Sequence, residues 1–142
     1  MSTTTLSRLA SVCALCVLVS ARPVLAQSNA KLTEGLVRES EVIVAGKVGD
    51  VISEWTPKRE RIQTRVTLAV DEAIKGSVAG NSITIIVPGG EVGGVGELYT
   101  HMPTFQNNEE VVVFAKKDAS GRYRVSGGKD GKFSVEKDPR TG

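Results

Sequence analysis

The sequence predicts a mainly-β domain, a small antiparallel barrel or sandwich of five to six short strands with one short N-terminal helix. The first observation is the stretch 63–76, in which Val66, Leu68 and Val70 alternate with more polar residues. A period of two is typical of a half-buried strand. The second is a series of further short runs rich in Val and Ile, separated by turns that contain Gly and Pro, the spacing of a small β-fold. The third is that only one segment of the chain after residue 26 has helical spacing.

The first 26 residues predict a secretory signal peptide. Arg8 supplies a positive charge, Leu9 to Ala21 is an apolar run, and Val24-Leu25-Ala26 offers a cleavage site. Arg22-Pro23 ends the run well short of the roughly 20 residues that a membrane helix needs. We therefore expect a secreted or periplasmic protein with no membrane span after signal cleavage.

Signal cleavage would remove both cysteines and two of the basic residues. Both cysteines, Cys13 and Cys16, lie in the apolar run, so residues 27–142 contain neither a disulfide nor a thiol nucleophile. Loss of Arg8 and Arg22 reduces the 18 Lys and Arg residues to 16, which balances the 16 Asp and Glu residues. A charge-balanced domain lacks the positive surface of a nucleic-acid-binding protein, so we expect no nucleic-acid partner. Residues 27–142 have the size of a single domain.

The elements follow in order. Residues 30–39 have apolar Leu32, Leu36 and Val37 on one helical face and predict a short helix that must pack on the sheet. Glu41 to Val48 predicts a first strand that continues through Val51-Ile52, with a bend or bulge between Gly46 and Gly49. A charged turn at 55–61 leads into the central strand.

Four more strands are predicted after the central one, at 81–87, 109–116, 122–126 and 132–135. Between the first two of these lie a glycine-rich loop, 88–96, and an irregular stretch, 98–105. The alternating apolar positions of the strands predict the core, which consists of Val42, Val44, Val48, Val66, Leu68, Val70, Ile83, Ile85, Val111, Val113, Tyr123, Val125 and Phe133.

The glycine-rich loop is the most distinctive local feature, with five glycines in the nine residues 88–96. Its spacing matches neither the phosphate-binding loop nor the dinucleotide-binding fingerprint. The glycines instead predict a wide, tightly turning loop with positive φ angles, a type of loop that often carries function. The candidate binding residues in and after it are Gly89, Gly90, Gly93, Gly94, Tyr99, His101, Met102 and Phe105.

His101 is the only histidine of the chain. A lone histidine without cysteines falls short of the three or four ligands of a zinc site, so we expect no metal site, no cofactor and no catalytic residue. Glu109-Glu110 are adjacent on a strand, where successive side chains point to opposite faces, so they do not form a catalytic pair. The alternative is a metal-dependent hydrolase of the cell envelope that uses His101 with Glu91, Glu97 or Glu109.

Several short motifs resemble a group of uncharacterised secreted bacterial domains across most of residues 37–135. The motifs are Ser40 to Val48 (SEVIVAGKV), Ala73 to Gly76 (AIKG), Pro88-Gly89-Gly90 with Gly93-Gly94, Met102 to Phe105 (MPTF) and Glu110 to Phe114 (EVVVF). The same plan is more distantly similar to the OB-fold barrels of the netrin and tissue-inhibitor-of-metalloproteinase class. The resemblance implies a small OB-like barrel. The inhibitors bind their target's zinc through an N-terminal cysteine, which residues 27–142 lack, so that activity is not implied.

These observations predict a non-catalytic binding module for a protein or envelope partner, with the segment 88–105 as the binding surface. The segment 138–142, DPRTG, reads as a β-turn, and in the resembling group a similar turn leads into another strand. We therefore expect the chain to be C-terminally truncated. Residues 132–137 would then expose a strand edge open to self-association.

Overall fold

The computed structural model describes residues 24–140, with side chains from residue 31 onward. It is mainly β, with one α-helix, and contains a closed, five-stranded, mixed β-barrel, which confirms the small OB-like barrel with one helix. The elements are α1 (Val24–Glu39), β1 (Val42–Trp55), β2 (Ile62–Lys75), β3 (Ser82–Pro88), β4 (Gly90–Val92), β5 (Val95–Glu97), β6 (Glu110–Lys117), β7 (Tyr123–Val125) and β8 (Lys132–Ser134). Residues 1–23 of the predicted signal peptide lie outside the described residues.

The barrel runs β1-β2-β3-β7-β6 and closes through pairing of β6 with β1. Every pair in it is antiparallel except β3 with β7, which are parallel at Ile85 and Tyr123. The prediction of a wholly antiparallel barrel is therefore wrong at this pair. The reason is geometric, because strand direction cannot alternate all the way around a closed ring of five.

β1 confirms the predicted long first strand, since it pairs with β2 along its length and with β6 along its first half. The predicted bulge is also confirmed, because the β1–β2 register shifts between Ala45 and Gly46 and between Val48 and Val51. A Cβ atom on Gly46 would collide with the carbonyl oxygen of Ala69. The glycine therefore lets β1 bend sharply enough to pair with β2 on one side and with β6 on the other.

The core matches most of the predicted residues. Ten of the thirteen are buried in one cluster, and Val70 and Val125 pack against it half-buried. Phe133 is a wrong prediction, because its side chain is 47% exposed. It belongs to β8, which lies beyond the closed ring and pairs with β6 alone. There its ring meets Phe114 edge-on, with the centroids 5.7 Å apart.

The helix is longer than the predicted 30–39 and packs by a narrower face. Leu36 is buried against Ile43 and Phe114 in a second small cluster, whereas Leu32 and Val37 are largely exposed. The last turn is closed by Lys75, whose Nζ donates hydrogen bonds to the carbonyls of Val37 and Ser40. Within the part of the chain that the structure describes, no helix has the length and apolar character needed to cross a membrane.

β8 lies where the strand edge was expected. It pairs with β6 along one side, and among residues 24–140 no strand pairs with its other side. The backbone N–H of Val135 extends the pairing by one hydrogen bond to the carbonyl of Glu110, at 2.8 Å. The C-terminal truncation itself stays a prediction.

Candidate functional site

The segment 89–105 lies against one end of the barrel and encloses a groove of about 580 Å³ with it. The barrel supplies part of the wall from β1, β2 and β3, and the segment supplies the rest. The lining residues are Val51, Ser53, Thr64, Val87, Pro88, Gly89, Gly90, Glu91, Gly96, Glu97, Leu98, Tyr99, Met102, Pro103, Thr104 and Phe105.

The first part of the segment is a hairpin of β4 and β5. Its two-residue turn is Gly93-Gly94, with φ angles of 59° and 79°. Positive φ at both central positions is the type I′ turn that suits the twist of paired strands. The prediction that these glycines take positive φ is confirmed. A Cβ atom added to either glycine would have no other atom within 4 Å.

Gly89 and Gly90 need to be glycine for another reason as well. Their φ angles are 94° and 136°, a region that other residues rarely occupy. A Cβ atom on Gly90 would also lie 2.6 Å from Thr64 Oγ1 and closer still to Ser53 Oγ. A Cβ atom on Gly89 would lie 2.8 Å from the carbonyl oxygen of Glu97. Gly90 therefore lets the segment lie directly on β1 and β2, and Gly89 lets the start of the segment pass close to the main chain of β5.

Hydrogen bonds hold the start of the segment on the barrel. Thr64 Oγ1 donates to the carbonyl of Gly89 at 2.7 Å and lies 3.1 Å from Ser53 Oγ. The N–H of Gly89 donates to the carbonyl of Ile62 at 2.9 Å. Both backbone groups of Gly89 thus have partners on β2, which fixes the entry of the segment.

Tyr99 connects the middle of the segment to the β1–β2 turn. Its hydroxyl donates to Glu97 Oε2 at 3.2 Å and accepts a hydrogen bond from Arg61 Nη1 at 3.3 Å. The groove wall is therefore braced by a chain of three polar side chains.

The apolar residues of the segment have very different exposures. Phe105 is buried in the barrel core, with 9% of its surface exposed. Met102 is 37% exposed and Leu98 is 94% exposed, both at the groove. Leu98 and Met102 are therefore apolar residues of the groove lining that remain accessible to solvent.

His101 acts through its backbone and does not line the groove. Its φ angle is 64°, its side chain is exposed, and its carbonyl accepts a hydrogen bond from the N–H of Lys129 at 2.8 Å. A Cβ atom on Gly128 would collide with that carbonyl. Among the described residues, no three His, Cys, Asp or Glu side chains lie together as metal ligands.

Glu109 closes the end of the segment. Its carboxylate accepts hydrogen bonds from Lys132 and Ser134, and from the N–H of Gln106 at 3.1 Å. Burial opposes the charged form, but these hydrogen bonds prevail and hold the pKa of Glu109 below its ordinary value of 4.5. Glu110 instead pairs with Lys137, at 3.0 Å. The two glutamates therefore have separate partners, and Glu109 lies one residue before β6.

Five of the eight predicted binding residues line the groove. Gly89, Gly90, Tyr99, Met102 and Phe105 do so, whereas Gly93, Gly94 and His101 do not. Sequence reasoning missed the barrel residues of the wall, among them Val51, Ser53, Thr64 and Val87, because strand residues distant in sequence meet there only after closure. Leu98 lies within the predicted surface 88–105 but was not among the candidate residues, because it stands in an irregular stretch without any periodic signal.

The groove lining contains hydroxyl and carboxylate side chains. The hydroxyls of Ser53 and Thr64 are bonded to each other and to a backbone carbonyl. The charged residues among the lining are Glu91 and Glu97. Comparison of the chain with family models, with curated proteins and with solved structures found no match.

Proposed function

We propose that the chain is a non-catalytic binding module that recognises a protein or envelope partner through the groove under residues 89–105. The observation that carries the proposal is Leu98, which is 94% exposed at a groove of about 580 Å³. Ligand pockets commonly have about 300–1,000 Å³ and a largely apolar lining. Leu98 and Met102 together give this groove accessible apolar surface, and contiguous exposed apolar surface favours an interaction site.

The rigid mounting of the groove supports the same proposal. Gly89 is hydrogen-bonded to β2 through both its N–H and its carbonyl. Just after the segment, the N–H of Gln106 donates to Glu109, which pairs with Lys132. A surface held in one shape loses little conformational freedom when a partner binds, so more of the contact energy appears as affinity.

The test compares partner capture by two variants, each of which replaces one exposed aliphatic residue with serine. Residues 27–142 and the variants Leu98→Ser and Ile74→Ser are immobilised and exposed to culture supernatant and envelope extract of the source organism. Ile74 is a suitable control because it is 54% exposed and lies outside the groove. We expect a partner that the wild type and Ile74→Ser retain and that Leu98→Ser loses. Equal retention by all three proteins would contradict the proposal.

The location that accompanies this proposal is the periplasm or the medium, because residues 1–26 have the charge and cleavage pattern of a secretory signal. Fusion of the chain to a phosphatase that is active only after export tests it. We expect activity from the full-length fusion and none when residues 2–26 are removed. Equal activity of the two fusions would overturn the location.

Self-association through β8 is a separate proposal about partners. Its support is the side of β8 that no strand within residues 24–140 covers, together with Phe133 and Val135, each 47% exposed. Such an edge can pair with a second chain. Light scattering across a concentration series should show dimers that Val135→Lys abolishes, and a monomer at every concentration would overturn it.

A further inference from the structure

We propose that the groove binds an extended peptide segment in which a bulky apolar side chain stands beside a lysine or an arginine. This inference rests on the proposed binding function and names the ligand. Three properties of the groove carry it: the apolar wall, the sign of its charges, and an unpaired stretch of main chain along β5.

The apolar wall has a buried part and an exposed part. Val87 and Phe105 are 6% and 9% exposed and belong to the barrel core, whereas Met102 and Leu98 are accessible. A leucine, isoleucine or phenylalanine of a ligand would bury its own surface and that of Leu98 together. Burial of one such side chain contributes about 1.5–3 kcal/mol.

The acidic side chains at the groove favour a ligand with a positive charge. The charged lining residues, Glu91 and Glu97, are both acidic, although the whole chain carries a formal charge of +2. Neither of them forms an ion pair with a described residue, and Glu97 accepts only the hydroxyl of Tyr99 among described side chains. Arg61 reaches the far side of that hydroxyl and does not line the groove. A lysine or arginine of a ligand would complete this arrangement.

The main chain of β5 favours a peptide over a small organic cation. In the β4–β5 hairpin the pairs Val92–Val95 and Gly90–Glu97 flank the pair Glu91–Gly96. Because a two-residue turn is closed by a hydrogen-bonded pair and such pairs alternate, the N–H and C=O of Gly96 point away from β4. Among the described residues β5 pairs with β4 alone, and Gly96 lines the groove. An extended segment can therefore add to β5 as a further strand.

The probe is a library of acetylated, amidated hexapeptides whose two central positions vary over all twenty amino acids. Residues 27–142 are incubated with the library, and the bound peptides are sequenced. We expect enrichment of peptides that combine a large aliphatic or aromatic residue with Lys or Arg. An equal yield of acidic and basic peptides, or no enriched peptide, overturns the inference.

Variants assign the selected features to the groove. With an enriched peptide, Glu97→Gln should raise the Kd about fivefold and reduce its salt dependence, since a partly exposed ion pair contributes up to about 1 kcal/mol. Leu98→Ser should raise the Kd about tenfold or more at all salt concentrations. The matched control is Glu72→Gln, an exposed glutamate of β2 outside the groove, for which we expect an unchanged Kd.

Gly96 tests the main-chain contact. Gly96→Ala places a methyl group no closer than 4.0 Å to its nearest neighbour, whereas Gly96→Pro also removes the N–H. We expect the Pro variant to bind the peptide at least tenfold more weakly than the Ala variant at equal melting temperatures. Equal affinities of the two variants contradict strand addition.

The two proposals fail in different ways. Loss of a captured partner in Leu98→Ser without any enriched peptide keeps the binding module and removes the peptide ligand. If peptides are enriched but their Kd is the same for the wild type, Leu98→Ser and Glu97→Gln, both the peptide inference and the groove as the binding site are contradicted.

Discussion

The β1–β2 ladder and the groove segment 89–105 are held in place by different means. The ladder aligns eleven residue pairs, and its inward side chains belong to the barrel core. The segment has a three-pair hairpin, one buried aromatic, Phe105, and a few single hydrogen bonds to the barrel. A repeated pattern therefore stabilises the ladder, and individual contacts shape the segment.

The largest difference is expected between one leucine of each region. Leu68 of β2 is fully buried, and Leu98 is 94% exposed. Leu68→Ala should lower the free energy of unfolding by about 2–5 kcal/mol because it leaves a cavity. Leu98→Ala should change it by no more than about 0.5 kcal/mol. Urea titration of both variants measures this, and similar losses would contradict the comparison.

Two glycines of the segment sharpen the comparison. Gly90→Ala combines an unfavourable φ of 136° with collisions at Ser53 and Thr64, so we expect a loss of about 3 kcal/mol. Gly94→Ala meets a positive φ of 79° in open space and should lose only about 1 kcal/mol. Thermal unfolding distinguishes them. Equal losses would mean that the segment does not rest on the barrel at Gly90.

The next effect concerns the hydrogen bond from Thr64 to the carbonyl of Gly89. Thr64→Val keeps the shape and removes the donor, so the free energy of unfolding should fall by about 1 kcal/mol. Thr67→Val on the same strand is the control, because no hydrogen bond of the Thr67 side chain occurs among the described residues. Hydrogen exchange at Gly90 should accelerate in Thr64→Val only, and unchanged exchange would refute the anchoring role.

The smallest effect is the pH dependence contributed by Glu109. Burial raises its pKa, but hydrogen bonds from Lys132, Ser134 and Gln106 outweigh burial, so the folded-state pKa lies below 4.5. The stabilisation is therefore complete above about pH 4.5 and is lost as the pH falls through the folded-state pKa. Glu109→Gln should lose about 0.5–1 kcal/mol at pH 7 and show a flatter stability profile below pH 4.5. Denaturant titrations from pH 3 to 7 test this, and an unaltered profile would contradict it.

The strands were predictable because their signal is local. Alternation at Val66, Leu68 and Val70 predicts a strand whatever the rest of the chain does. The same holds for the bulge near Gly46, where the β1–β2 register shifts. Phe133 was misjudged because alternation shows which side chains share a face, but the position of β8 outside the ring decides whether that face is covered.

The groove was only half predictable. Glycine content predicted positive φ at Gly89 and Gly90, because that preference belongs to the residue itself. The partners of these glycines, Ser53 and Thr64, lie 25 or more residues away in sequence and join them only when the barrel closes. No local pattern marks a serine or threonine as the support of a distant loop.

The sequence by itself determined the mainly-β class, most of the core, the balance of charges and the turns that require glycine, because these depend on residue type and short-range spacing. Tertiary structure alone decided the parallel β3–β7 pair, the exposure of Leu98 and the union of strand and loop residues in one groove. These features depend on how the ring of five strands closes. Closure brings together residues that are far apart in sequence, and no local sequence pattern predicts their contact.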